Sequence, residues 1–416
     1  MELKKYRLGE ICEVVNGATP STKDSDNYDG SIIWITPKDL SDQKKKYIKR
    51  GQRMITEKGF NCCSAQMIPP YNILMSSRAP IGLLAINQSE CCTNQGFKNL
   101  VLDKTLCDVD FMYYYLKFHI KEIEALGTGT TFMEVSKSSL LNFEVKIPNI
   151  NMQRDIAKCL SDIDRKIELN KQINDNLEAM AKQLYDYWFV QFDFPNGEGK
   201  PYKSSGGAMV WNEKLKREIP EGWKAAKIKD IAQTYSGGTP TSSNKDYYDG
   251  GDIPWINSGE LNYPIITSAA NYITEKGLNS SSAKLYPQYT VLVALYGATA
   301  GKVSLLSFEA CSNQAVCGVI PENKAMITYI RYYLSSLYQY FITLSSGSAR
   351  DNISQDTIKN TILPIPQEEI LDKYSDIVSP VIGKIIANQK ELETLTKQRD
   401  ELLPLLMNGQ ASVNAD

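Results

Sequence analysis

The chain has 416 residues, of which 42% are hydrophobic and 23% charged, and no apolar run approaches the roughly 20 residues of a membrane span. This composition predicts two or three globular domains, and the lack of a signal-type apolar stretch after the first residues predicts a cytoplasmic protein. The formal net charge of −2 excludes a uniformly basic surface, so any positive patch that binds nucleic acid has to be local.

The sequence contains an internal repeat. Segments of the first half recur in the second half at an offset of 218 to 221 residues, which is nearly constant over almost half of the chain. A self-match of this length predicts two copies of one domain. The matched segments are Gly17-Ala18-Thr19-Pro20 with Gly237-Gly238-Thr239-Pro240, Tyr28-Asp29-Gly30 with Tyr248-Asp249-Gly250, Trp34-Ile35 with Trp255-Ile256, 55–59 with 273–277, Asn94-Gln95 with Asn313-Gln314, and Ile147-Pro148 with Ile365-Pro366.

Residues 1–150 form the first predicted domain, with a mixed α/β fold. Short apolar runs between turn residues, at 71–75 and 81–86, predict strands, and the tyrosine-rich stretch 111–124 predicts a helix. The domain contains a basic cluster in which seven cations lie within sixteen residues, against Asp39 and Asp42. A solvated loop and a local DNA-binding patch both explain such a cluster. Its cations are Lys38, Lys44, Lys45, Lys46, Lys49, Arg50 and Arg53.

After Pro148 the hydrophobic period changes to seven, which is typical of a coiled-coil seam. The seam recurs after the second copy, where Asn388 aligns with Asn170. Within the second seam, Ser379-Pro380 predicts a helix start or a kink, because proline lacks the amide donor. The seam positions are Ile156, Leu160, Ile163, Ile167, Asn170, Asn174, Leu177, Ala181, Leu184 and Trp188, and then Tyr374, Val378, Val381, Ile385, Asn388, Leu392, Leu395, Arg399, Leu402 and Leu406.

The order of these parts predicts an α+β fold in which two repeated mixed α/β domains are separated by two long antiparallel coiled-coil helices. The first helix carries the chain to the second domain and the second helix returns from it, so antiparallel packing is the simplest arrangement. A seam of about 38 residues is roughly 57 Å long, and two DNA half-sites one helical turn apart are separated by about 34 Å. The predicted segments are domain 1 at 1–150, a central spacer helix at 151–190, a Pro/Gly/Ser linker at 191–218, domain 2 at 219–365 and a C-terminal spacer helix at 366–410.

Further motifs extend the pattern over essentially the whole chain. Phe192-Asp193-Phe194-Pro195 follows the first helix, Ile219-Pro220-Glu221-Gly222-Trp223 precedes the second copy, Gly301-Lys302-Val303 follows a predicted strand, and 399–409 reads RDELLPLLMNG. Each motif is weak alone, but their duplicated order, bridged by matched helices, resembles the specificity subunits of type I restriction-modification systems.

The resemblance implies a subunit that recognises DNA and performs no chemistry. Each repeated domain would be a target-recognition domain that reads one half of a bipartite, asymmetric target with a nonspecific gap. The helices would set the gap and dock two adenine-N6 methyltransferase subunits, and through them a restriction subunit. S-adenosylmethionine would bind the methyltransferase partner, and this chain would hold no cofactor and no metal.

The residues themselves offer little for catalysis. His119 is the only histidine and has no counterpart in the second copy, so we expect it to pack or to face solvent. The nine cysteines lack Cys-x-x-Cys spacing and an even count, so we expect reduced thiols, several of them buried. Ile68-Pro69-Pro70-Tyr71 resembles the loop of amino-methyltransferases, but isoleucine cannot accept the required hydrogen bond, which predicts a turn before a strand. The segment 297–303 resembles a phosphate loop but is one residue short and ends in valine.

The two domains differ at surface positions that are suited to reading DNA. Arg and Lys suit guanine or phosphates, whereas amides and hydroxyls suit adenine or phosphates. We expect Trp34 and Trp255 to lie in the core and Thr19-Pro20 and Thr239-Pro240 to form turns, while Asn94-Gln95 and Asn313-Gln314 fit either role. The candidate DNA-binding residues are Lys38, Lys44, Lys46, Arg50, Arg78 and Thr130 in domain 1, and Ser258, Tyr296, Lys302, Ser348 and Arg350 in domain 2.

Two other classes of protein remain open from the residues alone. One is a self-contained methyltransferase, which the binding of a methyl donor to the isolated chain would reveal. The other is a structural coiled-coil scaffold whose two heads bind protein or another ligand.

Overall fold

The computed structural model describes residues 2–129, 133–346 and 353–413, and the chain divides into two compact units. Unit 1 comprises Met1–Glu168 with Thr394–Asp416, and unit 2 comprises Leu169–Glu393. Each unit therefore contains one copy of the repeat together with part of each of the two long helices.

Unit 1 is a mixed α/β domain. Its five-stranded sheet has the order β2-β9-β6-β7-β4, in which β4 and β7 are parallel, its three-stranded sheet has the order β5-β3-β8, and β1 pairs with β10 in an antiparallel ladder. The strands are β1 Lys4–Arg7, β2 Cys12–Asn16, β3 Tyr28–Ile35, β4 Tyr47–Ile48, β5 Met54–Ile55, β6 Ile73–Ser77, β7 Ile81–Asn87, β8 Cys92–Thr93, β9 Lys98–Leu102 and β10 Glu144–Ile147. The helices are α1 Leu8–Ile11, α2 Pro37–Gln43, α3 Glu57–Asn61, α4 Val109–Phe118, α5 Ile120–Ala125, α6 Lys137–Leu141 and the long α7 Ile150–Tyr185.

The five-stranded sheet of unit 1 is covered on both faces. Met75 of β6 packs in one apolar cluster with Phe111 of α4, whereas its neighbour Leu74 packs in another cluster with Ile35 and Phe97. This alternation follows from the two-residue period of a strand. The predicted strands at 71–75 and 81–86 are confirmed as β6 and β7, and the predicted helix at 111–124 is confirmed as α4 and α5, which are interrupted at His119.

Unit 2 repeats the same topology. Its sheets have the orders β14-β21-β18-β19-β16 and β17-β15-β20, and β13 pairs with β22 in an antiparallel ladder. The strands are β11 Met209–Asn212, β12 Arg217–Pro220, β13 Lys224–Lys227, β14 Ala232–Ser236, β15 Ile253–Ile256, β16 Ile265–Ile266, β17 Tyr272–Ile273, β18 Val291–Ala294, β19 Val303–Leu306, β20 Cys311–Ser312, β21 Val316–Pro321 and β22 Ile362–Ile365. The helices are α8 Glu275–Asn279, α9 Met326–Ser336, α10 Tyr338–Ser346, α11 Gln355–Asn360 and the long α12 Glu368–Met407.

The long helices pair antiparallel within each unit, as their connectivity predicts. In unit 1 the Arg399 guanidinium donates to Asp164 Oδ1 at 3.0 Å, and Leu406 lies in the same buried cluster as Ile156. In unit 2 the ring centroids of Trp188 and Tyr374 are 5.9 Å apart. None of the predicted seam positions of α7 or α12 is exposed, so the seven-residue pattern is confirmed.

Helix α12 continues through Pro380, so the prediction of a helix start there is wrong. Tyr374, Val378 and Ile382, which lie on both sides of the proline, are buried in one apolar cluster of unit 2. Burial of these side chains offsets the cost of a proline in a helix interior, which is about 3 kcal/mol for the lost hydrogen bond and the ring clash together.

The segment that we predicted as a linker is folded against unit 2. Phe192 and Phe194 are buried, and the Phe194 ring stacks on Trp223 with centroids 5.4 Å apart. The Asp193 carboxylate accepts hydrogen bonds from the Ser204 amide at 2.7 Å and from its hydroxyl at 2.6 Å, which lowers the pKa of Asp193. Within the described ranges, no helix has both the length and the apolar character needed to cross a bilayer.

Candidate DNA interface

The repeated Gly-x-Thr-Pro segments occupy equivalent, partly buried positions directly after β2 in unit 1 and after β14 in unit 2. The indole nitrogens of Trp34 and Trp255 donate to backbone carbonyls of these segments at 3.1 and 3.0 Å. Tyr28 and Tyr248 donate their hydroxyls to the proline carbonyls at 2.8 and 2.6 Å. Trp34 is 5% exposed and Trp255 is 9% exposed, so the predicted core position of the two tryptophans is confirmed.

The repeated Asn-Gln pairs contact the same Gly-x-Thr-Pro segments. Thr19 donates its hydroxyl to Gln95 Oε1, and Thr239 donates to Gln314 Oε1. Because both units make this contact, we interpret the Asn-Gln pairs as residues that hold the Gly-x-Thr-Pro segments in place and not as residues that contact DNA bases.

The strands β3 and β15, which carry the two tryptophans, each lead into a surface loop, which we call loop 1 at 36–54 and loop 2 at 257–272. In loop 1 the Asp39 carboxylate accepts from the Thr36 amide at 2.8 Å and from the Gln52 amide at 2.7 Å. This carboxylate thereby holds the start of α2 and the returning end of the loop together, and it is buried. The buried Asp39 carboxylate therefore fixes the two ends of loop 1 relative to each other.

Loop 1 displays five exposed cations for which the described residues provide no ion-pair partner. Arg53 is exposed as well, and its guanidinium lies 4.1 Å from the centroid of the Tyr28 ring. An ordered loop with unpaired cations is suited to contacting DNA phosphates. The five are Lys38, Lys44, Lys45, Lys49 and Arg50.

Lys46 lies in the same cluster of the sequence but points into unit 1. Its ammonium is 2.7 Å from Asp110 Oδ1 of α4 and 2.8 Å from Ser161 Oγ of α7, and it lies 4.2 Å from the centroid of the Tyr114 ring. The side chain is 11% exposed. Burial lowers the pKa of the Lys46 ammonium, although Asp110 opposes that shift. The structure thus places Lys46 between the sheet edge and α7.

The hairpin between β6 and β7 carries Arg78 at its tip. Its guanidinium lies 3.4 Å from Glu134 Oε2, and the Lys98 ammonium lies 2.9 Å from Glu134 Oε1. Burial favours a higher pKa for Glu134, but the two cations outweigh burial and hold its pKa below the ordinary value. Thr130 belongs to the neighbouring segment but lies outside the described residues.

The equivalent hairpin of unit 2, between β18 and β19, carries Tyr296 and Lys302. Tyr296 is half-buried and packs against the apolar core, whereas the Lys302 ammonium donates to the side-chain oxygen of Asn262 in loop 2. Ser258 begins the short 3-10 helix of loop 2 and is half-buried. Ser348 and Arg350 lie outside the described residues.

Sequence reasoning left three exposed side chains out of the candidate set. Lys45 and Lys49 were seen in the basic cluster, but nothing in the sequence ranked them above Lys46. Tyr263 of loop 2 is 66% exposed, and in the sequence only the correspondence of Asn262-Tyr263-Pro264 with Lys44-Lys45-Lys46 in the repeat points to it. All three belong to loops 1 and 2 and extend the candidate interface.

Most of the cysteines are buried thiols. All nine cysteines are free, and Cys12, Cys91, Cys92, Cys107, Cys311 and Cys317 are buried. Burial raises the pKa of Cys12 to about 12, so this thiol stays protonated and unreactive at neutral pH. Across the described ranges no His, Cys, Asp and Glu side chains gather in a metal-binding group.

Comparison with known proteins gives one consistent family. The family model described as the type I restriction modification DNA specificity domain matches residues 1–179 and 220–397. The chain is 32% identical to the type I restriction enzyme MjaIX specificity subunit of Methanocaldococcus jannaschii, over 98% of this chain and 93% of that protein. It is 28% identical to the HindI specificity subunit of Haemophilus influenzae, over 70% of this chain and 74% of that protein.

A solved structure shares the fold. The crystal structure of the type I restriction-modification S subunit from M. genitalium superposes with a TM-score of 0.66 at 17% identity, covering 100% of this chain and 97% of that one. The duplicated domains, the paired helices and the sequence matches agree with one another. The chain therefore belongs to the family of type I restriction-modification specificity subunits, which supply DNA sequence recognition and are not themselves enzymes.

Proposed function

We propose that unit 1 and unit 2 each read one half of a bipartite, asymmetric DNA target whose halves are separated by a nonspecific gap. The observation that carries this proposal is that one sheet order is repeated in both units while loops 1 and 2 differ in sequence. Base edges are read by side-chain donors and acceptors that the surface presents to a groove. Unlike loops on a repeated fold therefore favour unlike half-sites.

The proposed recognition domains are 1–150 and 219–365, and the proposed contacts come from their loops and hairpins. Lys46 leaves the set because its ammonium is held by Asp110 and Ser161. Thr130, Ser348 and Arg350 rest on the sequence alone. The remaining candidates are Lys38, Lys44, Arg50 and Arg78 in unit 1 and Ser258, Tyr296 and Lys302 in unit 2.

We further propose that α7 and α12 set the gap and dock two adenine-N6 methyltransferase subunits, which bind S-adenosylmethionine and through which a restriction subunit joins. Two observations support this. The relatives are named as specificity subunits of type I restriction enzymes, and α7 leaves Leu169, Ile173 and Met180 exposed on one helical face outside the seam. Because cellular DNA is the substrate, the proposed site of action is the cytoplasm.

A domain exchange tests the proposed division of labour. Residues 1–150 would be replaced by the corresponding domain of a relative whose target is known, and the chain expressed with its modification subunits in cells whose adenine methylation is then mapped. We expect one half of the methylated motif to change while the other half and the gap stay the same. The matched exchange of 219–365 should change only the other half. A motif that stays the same in both halves, or methylation without a two-part motif, would contradict the proposal.

A further inference from the structure

We propose that the two units hold DNA by unequal means: loop 1 supplies the ionic contacts to phosphates, and loop 2 contacts DNA through neutral amides and phenols. This inference rests on the proposed reading of one half-site by each unit. The repeated fold alone does not determine by which kinds of contact each unit binds DNA.

Loops 1 and 2 are built on the same scaffold. The Glu260 carboxylate accepts from the Asn257 amide at 2.8 Å and from the Ala270 amide at 3.0 Å. Asp39 makes the corresponding contacts in loop 1, to Thr36 and Gln52. Each carboxylate caps a short helix and holds the returning chain, so the two loops are equivalent in structure as well as in sequence.

The position of individual residues in the two loops is fixed by the neighbouring strand. The carbonyl of Lys46 accepts from the amide of β7 at 2.7 Å, and the carbonyl of Pro264 accepts from the amide of β19 at 2.9 Å. The residues immediately before them, Lys45 and Tyr263, are therefore equivalent. Both are exposed.

The two loops differ in charge, since loop 1 is strongly cationic and loop 2 carries almost no charge. Residues 36–54 contain seven Lys and Arg against two Asp, whereas residues 257–272 contain one Glu and no Lys or Arg. Loop 2 presents an exposed amide and two exposed phenols instead, namely Asn271, Tyr263 and Tyr272, whereas the Asn262 amide is held by the Gly259 carbonyl and by Lys302 of the neighbouring hairpin. Asparagine pairs with adenine edges, and phenols donate to phosphates without carrying charge.

This asymmetry has a measurable consequence. Each phosphate that a cation neutralises releases counterions and contributes about −0.9 to the slope of log K against log salt concentration. Loop 1 should therefore contribute a steep salt dependence that is independent of sequence, and loop 2 should contribute almost none. Unit 1 would then hold DNA of any sequence first, and unit 2 would add discrimination.

The test measures the binding of the full chain, together with its modification subunits, to a 30-base-pair duplex of random sequence at several KCl concentrations. The probe is this duplex because neutralising loop 1 should act on binding of any sequence. The variant Lys44→Gln/Lys45→Gln/Lys49→Gln should lose about 2 to 3 units of slope, since each lysine contributes about 0.9. The matched control Lys4→Gln/Lys104→Gln/Lys121→Gln removes the same charge from exposed positions outside loop 1 and outside the long helices, and should retain the slope.

The reciprocal variant Tyr263→Lys places a cation at the equivalent position of loop 2. It should steepen the slope by about 0.9. An equal slope for the loop 1 variant and its control, or an unchanged slope for Tyr263→Lys, overturns the inference while leaving half-site reading intact. A wild-type complex that binds this duplex and its genomic targets with no salt dependence would instead remove the proposed function.

Discussion

Lys44 and Lys46 are two residues apart in one basic run, yet the structure gives them unrelated roles. Lys44 ends α2 in the left-handed region with φ of 48° and is exposed, whereas Lys46 is buried against Asp110 and Ser161. The sequence shows that both residues are charged but not which of them points into unit 1. The position of the chain at Lys46 depends on the parallel pairing of β4 with β7, which is a long-range contact.

Neutralising each lysine separately should distinguish these roles. Lys46→Gln removes charged hydrogen bonds to Asp110 and Ser161, so we expect unit 1 to lose about 2 kcal/mol of unfolding free energy. Under conditions in which the Lys46→Gln variant is folded, the salt dependence of its DNA binding should match that of the wild type. Lys44→Gln should lower the salt slope without a change in stability. Urea unfolding and DNA titration of both variants check this, and equal stability of the two would contradict the internal role of Lys46.

Among the helices of unit 2, α9 and α7 are joined by a largely buried ion pair. The Arg331 guanidinium of α9 donates to Glu178 Oε1 of α7 at 2.7 Å, and the Arg331 side chain is only 3% exposed. Arg331 also lies 3.2 Å from the Tyr332 hydroxyl. A buried guanidinium needs its carboxylate partner, because removing one member leaves an uncompensated charge.

Glu178→Gln should therefore destabilise unit 2 by about 3 kcal/mol. The matched control is Asp175→Asn, which neutralises an exposed acid on the same helix and should have almost no effect. Urea unfolding followed by tryptophan fluorescence measures this, with Trp188, Trp223 and Trp255 reporting on unit 2. Equal midpoints for the two variants would show that the pair contributes nothing to the packing of α9 on α7.

Helices were easier to predict from the sequence than their ends. The seven-residue pattern identified both long helices because it is sustained over many turns, and every seam position is buried or half-buried. Pro380 and His119 were harder, since the outcome at each depends on packing. Burial around Pro380 keeps α12 continuous, whereas the helix breaks at His119, whose ring packs 4.4 Å from Tyr115.

For the whole molecule, duplication was the most informative feature of the sequence. The offset of 218 to 221 residues predicted two copies of one domain, and both copies have the same sheet orders. The candidate interface was less predictable. Composition located the basic cluster, but ordering by Asp39 and the burial of Lys46 emerge only from three-dimensional contacts.

The length of the long helices gives a further prediction for the proposed function. Inserting four residues into α7 near Asn174, with four residues in α12 near Ile385, adds about one turn, or ~6 Å, to each helix. Asn174 donates to the Ile385 carbonyl at 3.5 Å, so the insertions fall at facing positions of unit 2. We expect the gap of the methylated motif to change while both half-sites stay the same.

The control for this experiment replaces four exposed residues at the same place without changing the helix length. Its motif should match that of the wild type. An inserted chain that folds, methylates DNA and keeps the original gap would exclude the helices as the determinant of spacing.

The ladders that close each domain have an evolutionary consequence. Lys4 pairs with Ile147 in unit 1, and Lys224 pairs with Ile365 in unit 2, so the chain leaves and rejoins the base of each domain through adjacent strands. More than a hundred residues between these strands can therefore gain, lose or exchange surface segments while the starts of α7 and α12 keep their positions on the ladders. New DNA preferences can arise by drift in the enclosed segments, without compensating changes in the helices.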